Sequence, residues 1–170
     1  SITGKRILVT GAGGFVGSHL TEELVRRGAS VRAFVHYVSR GDAGWLDNSD
    51  LRSDMDVIRG DIRDRDSLWS YFDRAEIVFH LAALVGIPYS YGAPDSYVET
   101  NIDGTLNALK CALHTPSLAR FIQTSTSEVY GTAIRVSQAE DHPLSAQSPY
   151  AASKIAADAL ALSFHHSFGL

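Results

Sequence analysis

The stretch RILVTGAGGFVGSHL, residues 6 to 20, limits what this chain can fold into more than any other part of it. A β-branched apolar run ends at Thr10, and Gly11, Gly14 and Gly17 follow at once. Val16, Leu20 and Leu24 then repeat at the i, i+4, i+8 spacing of a helix face, with Gly28 where a left-handed C-cap belongs. Glycine permits a tight turn and close backbone approach, and the first turn of a helix offers unpaired N–H groups at a positive dipole end. Strand, turn and helix in that order predict a pyrophosphate cradle, with Phe15 and Val16 on its helical side.

Further short apolar runs lie at 31–37 (VRAFVHY), 55–61 (MDVIRGD), 76–83 (EIVFHLAA) and 120–126 (RFIQTST). They are continuous rather than alternating, as suits strands buried on both faces of a parallel sheet. Helical patterns separate several of them. Leu68 and Phe72 mark one helix behind the capping candidates Asp64 and Asp66, and residues 97–114 read as a longer helix stopped before Pro116. The expected class is α/β, a doubly wound Rossmann-like parallel sheet with ligands beyond the carboxyl ends of its strands. At that end, dinucleotide folds often close the second strand with an acid for the adenosine ribose. Here His36 stands there and Arg40 follows, which weakens the usual case for NAD over NADP, since a basic neighbour could accept a 2′-phosphate. Asp61 and Ile62, after the third strand, are placed to meet adenine.

The last helix opens with Ser148 as N-cap and Pro149 in its first turn. Its alanines and leucines run nearly all the way round, which calls for burial on two sides. One side is expected to be the sheet and the other a partner subunit, giving a homodimer through the helices at 97–114 and 149–168.

Other function classes fall away on composition. With 15 basic and 19 acidic residues the formal charge is −4, and no basic cluster could track a phosphate backbone, so no nucleic acid is expected as partner. No apolar run reaches the roughly 18 residues of a membrane span, and the start carries no signal-like core; a cytoplasmic protein is expected. Cys111 is alone and packs as a small apolar residue. The histidines show no ligand spacing, so no metal is expected, and His80, inside an apolar strand, reads as a hydrogen-bonded core residue. At 170 residues, 45% of them hydrophobic, residues 1–170 make one dinucleotide-binding domain.

Tyr150 and Lys154 are four apart at the start of a helix and share a face. Lowering a tyrosine from its ordinary pKa near 10 to neutral pH needs about 4 kcal/mol. A cation about 4 Å away supplies roughly that at an effective dielectric near 20. Tyr150 is then a candidate base for an alcohol or sugar hydroxyl.

The glycine turn, HLAA at the fourth strand end, TSTSEVYG at the fifth and SPYAASK on the next helix occur in one order. In that order the chain resembles the extended short-chain dehydrogenase/reductases, and within them the NAD-dependent epimerase/dehydratase family. The resemblance implies that Thr126 hydrogen-bonds the reacting hydroxyl, Tyr150 deprotonates it and Lys154 tunes Tyr150. Leu81, Ala82 and Ala83 would line the cofactor. It also implies a use for the carboxylate: once carbon 4 of a nucleotide sugar is a ketone, Glu128 can take the hydrogen from carbon 5. Water then leaves across carbons 5 and 6. Family 4,6-dehydratases commonly carry an acid before the glutamate, where this chain has Ser127, so Glu128 serves twice or Ser127 relays a proton. RGDAGWL and LVGIPYSYGAPDSYVETN are similar to UDP-N-acetylglucosamine 4,6-dehydratases of the legionaminic-acid-pathway type. That likeness implies a sugar pocket bordered by Gly86, Ile87, Pro88, Tyr89 and Ser90, with Asn101 beginning a helix behind it. A 4-epimerase, a UDP-glucuronate decarboxylase of the same family and a non-catalytic dinucleotide module are the alternatives. Family members continue past the Tyr150 helix into a sixth strand and a sugar-binding portion, so these residues are expected to be the N-terminal part of a longer protein.

Overall fold

A computed structural model describes residues 1–170. Strands β1 (Arg6–Thr10), β2 (Ser30–His36), β3 (Asp56–Gly60), β4 (Ile77–His80) and β5 (Arg120–Gln123) form one sheet in the order β3-β2-β1-β4-β5. Every pairing is parallel. The order reverses between β1 and β4, so a crevice opens beyond their carboxyl ends. The expected fourth and fifth strands are too long at their far ends. After His80 and Gln123 the chain leaves the ladder, and LAA and TST become the rim of that crevice.

The helices are α1 (Phe15–Arg26), α2 (Arg65–Phe72), α3 (Ile87–Gly92), α4 (Pro94–Tyr97), α5 (Gly104–Leu113) and α6 (Pro149–Phe168). Alternate residues of β1 face opposite layers. Ile7 and Val9 pack with Leu24, Val31, Val35 and Leu46 on the α1 side. Leu8 packs with Leu68, Phe72, Ala108 and Cys111 on the side of α2 and α5. Cys111 is buried and its thiol is pushed up to about 11 by burial, as fits an apolar packing role.

Local chemistry sets the helix ends. Gly28, at φ +80°, closes α1: its N–H donates to Val25 O (2.8 Å) and that of Ala29 to Leu24 O (3.1 Å), the paired bonds of a Schellman end. Asp64 caps α2 by accepting from the N–H groups of Asp66 and Ser67, and Ser148 caps α6 by accepting from that of Ala151.

The helix expected over 97–114 is not regular. Residues Val98–Asp103 form a π-helical turn between α4 and α5, and Asn101 lies inside it rather than at a helix start. The physical reason is tertiary. Asn101 Oδ1 accepts from the N–H of Leu84 (2.7 Å), and its Nδ2 donates to Leu84 O (3.0 Å) and Ser153 Oγ (2.9 Å). A widened turn places that amide between the β4 exit and α6, and such turns recur at functional positions. Along α6, Tyr150, Ala151, Ser153, Lys154, Ala157 and Phe164 are buried. Ala152, Ala159 and Leu162 are exposed, so this chain covers one face of the helix. No helix is long and apolar enough to cross a membrane.

Candidate active site

The glycine turn sits at the switch point, and its glycines answer different demands. Gly11 has φ +71°, and a Cβ there would stand 2.8 Å from the backbone of Leu81 and Ala82, where the β4 exit crosses β1. A Cβ on Gly17 would come 2.1 Å from Gly11 O, so α1 can seat on the turn only without a side chain there. Gly14 is unlike both. Its Cβ would meet nothing nearer than Gly11 O at 3.4 Å, and its outer side is open. Gly14 also caps α1 without a side-chain bond, and the first turn carries no acid. Free amide donors, a positive dipole end and an open glycine edge fit an anionic pyrophosphate.

Sequence reasoning missed the support under this turn. Gly44 (φ +63°) packs on Gly13, whose O accepts from the N–H of Trp45 at 3.0 Å. The 3-10 turn Gly44–Asn48 therefore braces the cradle from below, and GW after the second strand was the available signal.

Two clefts meet above the strand ends. One, of about 510 Å³, runs past Gly11, Gly14, Phe15, Val16, Gly17 and His36 to Leu81, Ala83 and Thr124. The other, of about 320 Å³, is lined by His36, Asp61, Ile62, Ala82, Ala83 and Tyr89 among others. Both include Gly11, His36 and Ala83, so together they offer a continuous groove with room for a dinucleotide. Arg40 borders neither cleft. It is 90% exposed and faces Asp42 at 3.8 Å, while Asp42, not singled out from the sequence, lines the larger cleft. Asp61 is gripped by Arg63, with Nη2 to Oδ2 at 2.6 Å, and this hydrogen bond holds its carboxyl below the usual range.

Among the residues expected at the sugar pocket, Gly86 takes φ +104° and Pro88 lies in the first turn of α3. Ile87 is half-buried, and Tyr89 is exposed at the rim of the smaller cleft. Ser90 is turned inward: it is fully buried, and its hydroxyl donates to Ile87 O at 2.7 Å. The loop is anchored by Tyr97, whose hydroxyl reaches Gly86 O at 2.7 Å and Val85 O at 2.9 Å. The Tyr97 ring lies edge-on to Tyr150 at 6.0 Å between centroids.

Tyr150 and Lys154 are both buried on the first turns of α6. Lys154 Nζ donates to Thr124 O at 2.6 Å, which fixes α6 against the β5 exit at a residue that also lines the larger cleft. Burial lowers the Lys154 pKa, and the charge of Asp158 opposes that fall. Thr126 opens the 3-10 turn Ser127–Tyr130, its Oγ1 accepting from the Glu128 N–H at 3.3 Å. Val129 is buried and anchors the turn, so Ser127 and Glu128 project outward and are exposed. No hydrogen bond joins either to Tyr150.

A buried polar chain runs beneath these parts. The Thr105 hydroxyl donates to Asn101 O at 2.6 Å, so toward His80 Nε2, at 3.2 Å, it can only accept. That places the ring proton on Nε2 and leaves Nδ1 to accept from the Thr10 hydroxyl at 2.8 Å. Thr10 Oγ1 in turn accepts from the Ala82 N–H at 3.1 Å. His80 is thus a satisfied core histidine, as expected, and burial pushes its pKa down to about 3.

A phosphate turn at a parallel switch point, with a buried Tyr-x-x-x-Lys pair behind it, defines the short-chain dehydrogenase/reductase type of dinucleotide fold. The family model described as GDP-mannose 4,6 dehydratase matches residues 8–170. A dTDP-glucose 4,6-dehydratase of Streptomyces antibioticus is 38% identical over 96% of this chain and 50% of its own length. A UDP-glucuronate 4-epimerase of Arabidopsis thaliana is 36% identical over 98% of this chain and 40% of its own. Among solved structures, the dTDP-glucose 4,6-dehydratase DesIV of Streptomyces venezuelae, with NAD bound, superposes with a TM-score of 0.88. It is 33% identical, over 97% of this chain and 53% of that one. The chain belongs to the GDP-mannose 4,6 dehydratase family, within the NAD-dependent epimerase/dehydratases that its motifs resemble. It spans about half the length of the curated relatives it matches.

Proposed function

We propose that the whole protein is a nucleotide-sugar 4,6-dehydratase that binds NAD along the groove described above, with UDP-N-acetylglucosamine as substrate. Residues 1–170 would serve as its dinucleotide-binding domain. The observation that carries this reading is that one strand exit serves both halves of the chemistry: Thr124 O holds Lys154 of the buried Tyr150–Lys154 pair, and the same exit runs on through Thr126 to the exposed carboxylate of Glu128. Bound NAD supplies a hydride acceptor and later a hydride donor at its nicotinamide ring. The open edge of Gly14 and the amides of the first α1 turn hold the pyrophosphate. His36, Asp61 and Ile62 border the adenosine end, and Leu81 and Ala83 the other. Thr126 hydrogen-bonds the hydroxyl at carbon 4 of the sugar, and Tyr150, with Lys154 one turn on along α6, takes its proton. With carbon 4 a carbonyl, the hydrogen on carbon 5 is acidic, and Glu128 removes it. The proton on Glu128 then passes to the departing hydroxyl of carbon 6, directly or through Ser127, which leaves a double bond between carbons 5 and 6; the saturated product would need a solvent-derived proton at carbon 5 and the stored hydride at carbon 6.

A second reading is a nucleotide-sugar 4-epimerase. It is favoured by the similarity to epimerases and, on the resemblance given above, by Ser127 in place of the acid of 4,6-dehydratases. Incubating the complete protein with UDP-N-acetylglucosamine separates the two. A 4-keto-6-deoxy product supports dehydration, whereas an epimer without a keto sugar overturns it.

A further inference from the structure

We propose that Asp158 is the positioning countercharge of Lys154, held in place by Ser125, and that it keeps the buried lysine protonated. The proposal rests on the reading of Tyr150 and Lys154 as the proton-transfer pair. Asp158 follows Lys154 by one helical turn, the spacing at which side chains share a face. The two residues that leave β5 take one each: Thr124 O accepts from Lys154 Nζ, and the Ser125 hydroxyl donates to Asp158 Oδ2. The helix is therefore docked to the strand exit by two adjacent contacts, one cationic and one anionic. Asp158 Oδ1 is buried and has no hydrogen-bond partner. A carboxylate oxygen left so is costly unless a positive charge compensates it, and Lys154 is the cation one turn away.

The surroundings leave that task to Asp158. His80, on β4 and within reach of the Lys154 charge, is held neutral by burial. Around Asp158, β5 presents Gln123 and Phe121 and α5 presents Leu109, none of them charged. The remaining titratable groups are Tyr150 before the pair, with Tyr97 of α4 edge-on to it at 6.0 Å, Tyr130 and the exposed Glu128 on the 3-10 turn packed against α6, and His165 beyond the pair, whose Nδ1 pairs with Leu170 O at 2.9 Å. Desolvation alone would push Lys154 toward its neutral form, and a neutral lysine does nothing for a tyrosinate.

The sign of the effect follows from the Asp158 charge, which opposes the fall that burial imposes on Lys154. Removing the Asp158 charge lowers the pKa of Lys154 most, since Tyr150 is two turns farther along the helix. The alkaline loss of the lysine proton then comes earlier, and the pH range in which tyrosinate and ammonium coexist contracts from its upper side.

Carbon-13 NMR of ε-labelled lysine in the complete protein, with the Lys154 signal assigned by its loss in Lys154→Arg, follows the titration directly and without turnover. In Asp158→Asn the Lys154 midpoint is expected to fall by about one pH unit, the order for a unit charge one turn away. Lys5 and Lys110 serve as internal references and do not move. Asp158→Glu, which keeps the charge, restores most of the shift. Should Asp158→Asn fail to fold, Asp158→Ser makes the same comparison. In the complete protein, the same variant brings down the alkaline limb of kcat/KM and leaves the acid limb in place. An unchanged Lys154 midpoint in a folded neutral variant overturns the proposal, even where Tyr150→Phe abolishes turnover. Full turnover by Tyr150→Phe instead overturns the reading of the pair and leaves the measured link between Asp158 and Lys154 standing.

Discussion

Gly17 and Gly14 differ in what a methyl group would meet, and one substitution made at each separates folding from binding. Gly17→Ala drives a Cβ to 2.1 Å from Gly11 O. Overpacking of this kind costs about 1–3 kcal/mol, so melting by calorimetry is expected to drop by several degrees. Gly14→Ala finds its nearest atom at 3.4 Å, keeps the melting temperature and weakens dinucleotide affinity in titration calorimetry. Equal losses of affinity with equal losses of stability would contradict the assignment. His80 gives a pH dependence of definite sign. Its folded pKa of about 3 lies below the unfolded value near 6.5, so the unfolded chain binds the extra proton between them. This group's contribution is complete above pH 6.5 and is lost as pH falls toward 3, by about 2 kcal/mol between pH 7 and pH 5. Urea unfolding at both pH values should show that loss in the natural chain and its absence in His80→Asn. At this scale the glycines were legible because strand, turn and helix stand side by side in the sequence. The partners of His80 were not, because Thr10 and Thr105 lie on other elements.

The strands were legible to within a few residues, since continuous β-branched runs bounded by glycine and aspartate have few other uses. Helix caps at Gly28, Asp64 and Ser148 were equally plain, because each acts on residues next to it. The π-helical turn at Val98–Asp103 was not, because no local propensity selects it. It exists through the amide of Asn101, which is 1% exposed and ties Leu84 to Ser153 across more than 50 residues of sequence. Asn101→Leu conserves volume but leaves the Leu84 N–H and O without their partner. Each buried group left unsatisfied costs about 1–3 kcal/mol, so denaturant titration should show a loss of at least that size. Amide exchange should accelerate at Leu84 as the cofactor-facing rim loosens. A neutral outcome would mean that the regular helix was accessible all along.

At the largest scale, the exposed apolar stripe of α6 is what the sheet of residues 1–170 leaves uncovered, with Leu162 60% exposed. We expect it to meet a second copy, together with α5, and Leu162→Asp to shift the mass seen by sedimentation from dimer to monomer. A monomeric natural protein would remove that expectation. The central claim is chemical: a transient carbonyl at carbon 4 gives Glu128 its purpose. It is tested most directly by running the complete protein on UDP-N-acetylglucosamine in deuterated water and locating the label by NMR. The account predicts deuterium at carbon 5 of a 4-keto-6-deoxy product, and loss of both label and product in Glu128→Gln. A product without deuterium at carbon 5, or unimpaired turnover by Glu128→Gln, would contradict it.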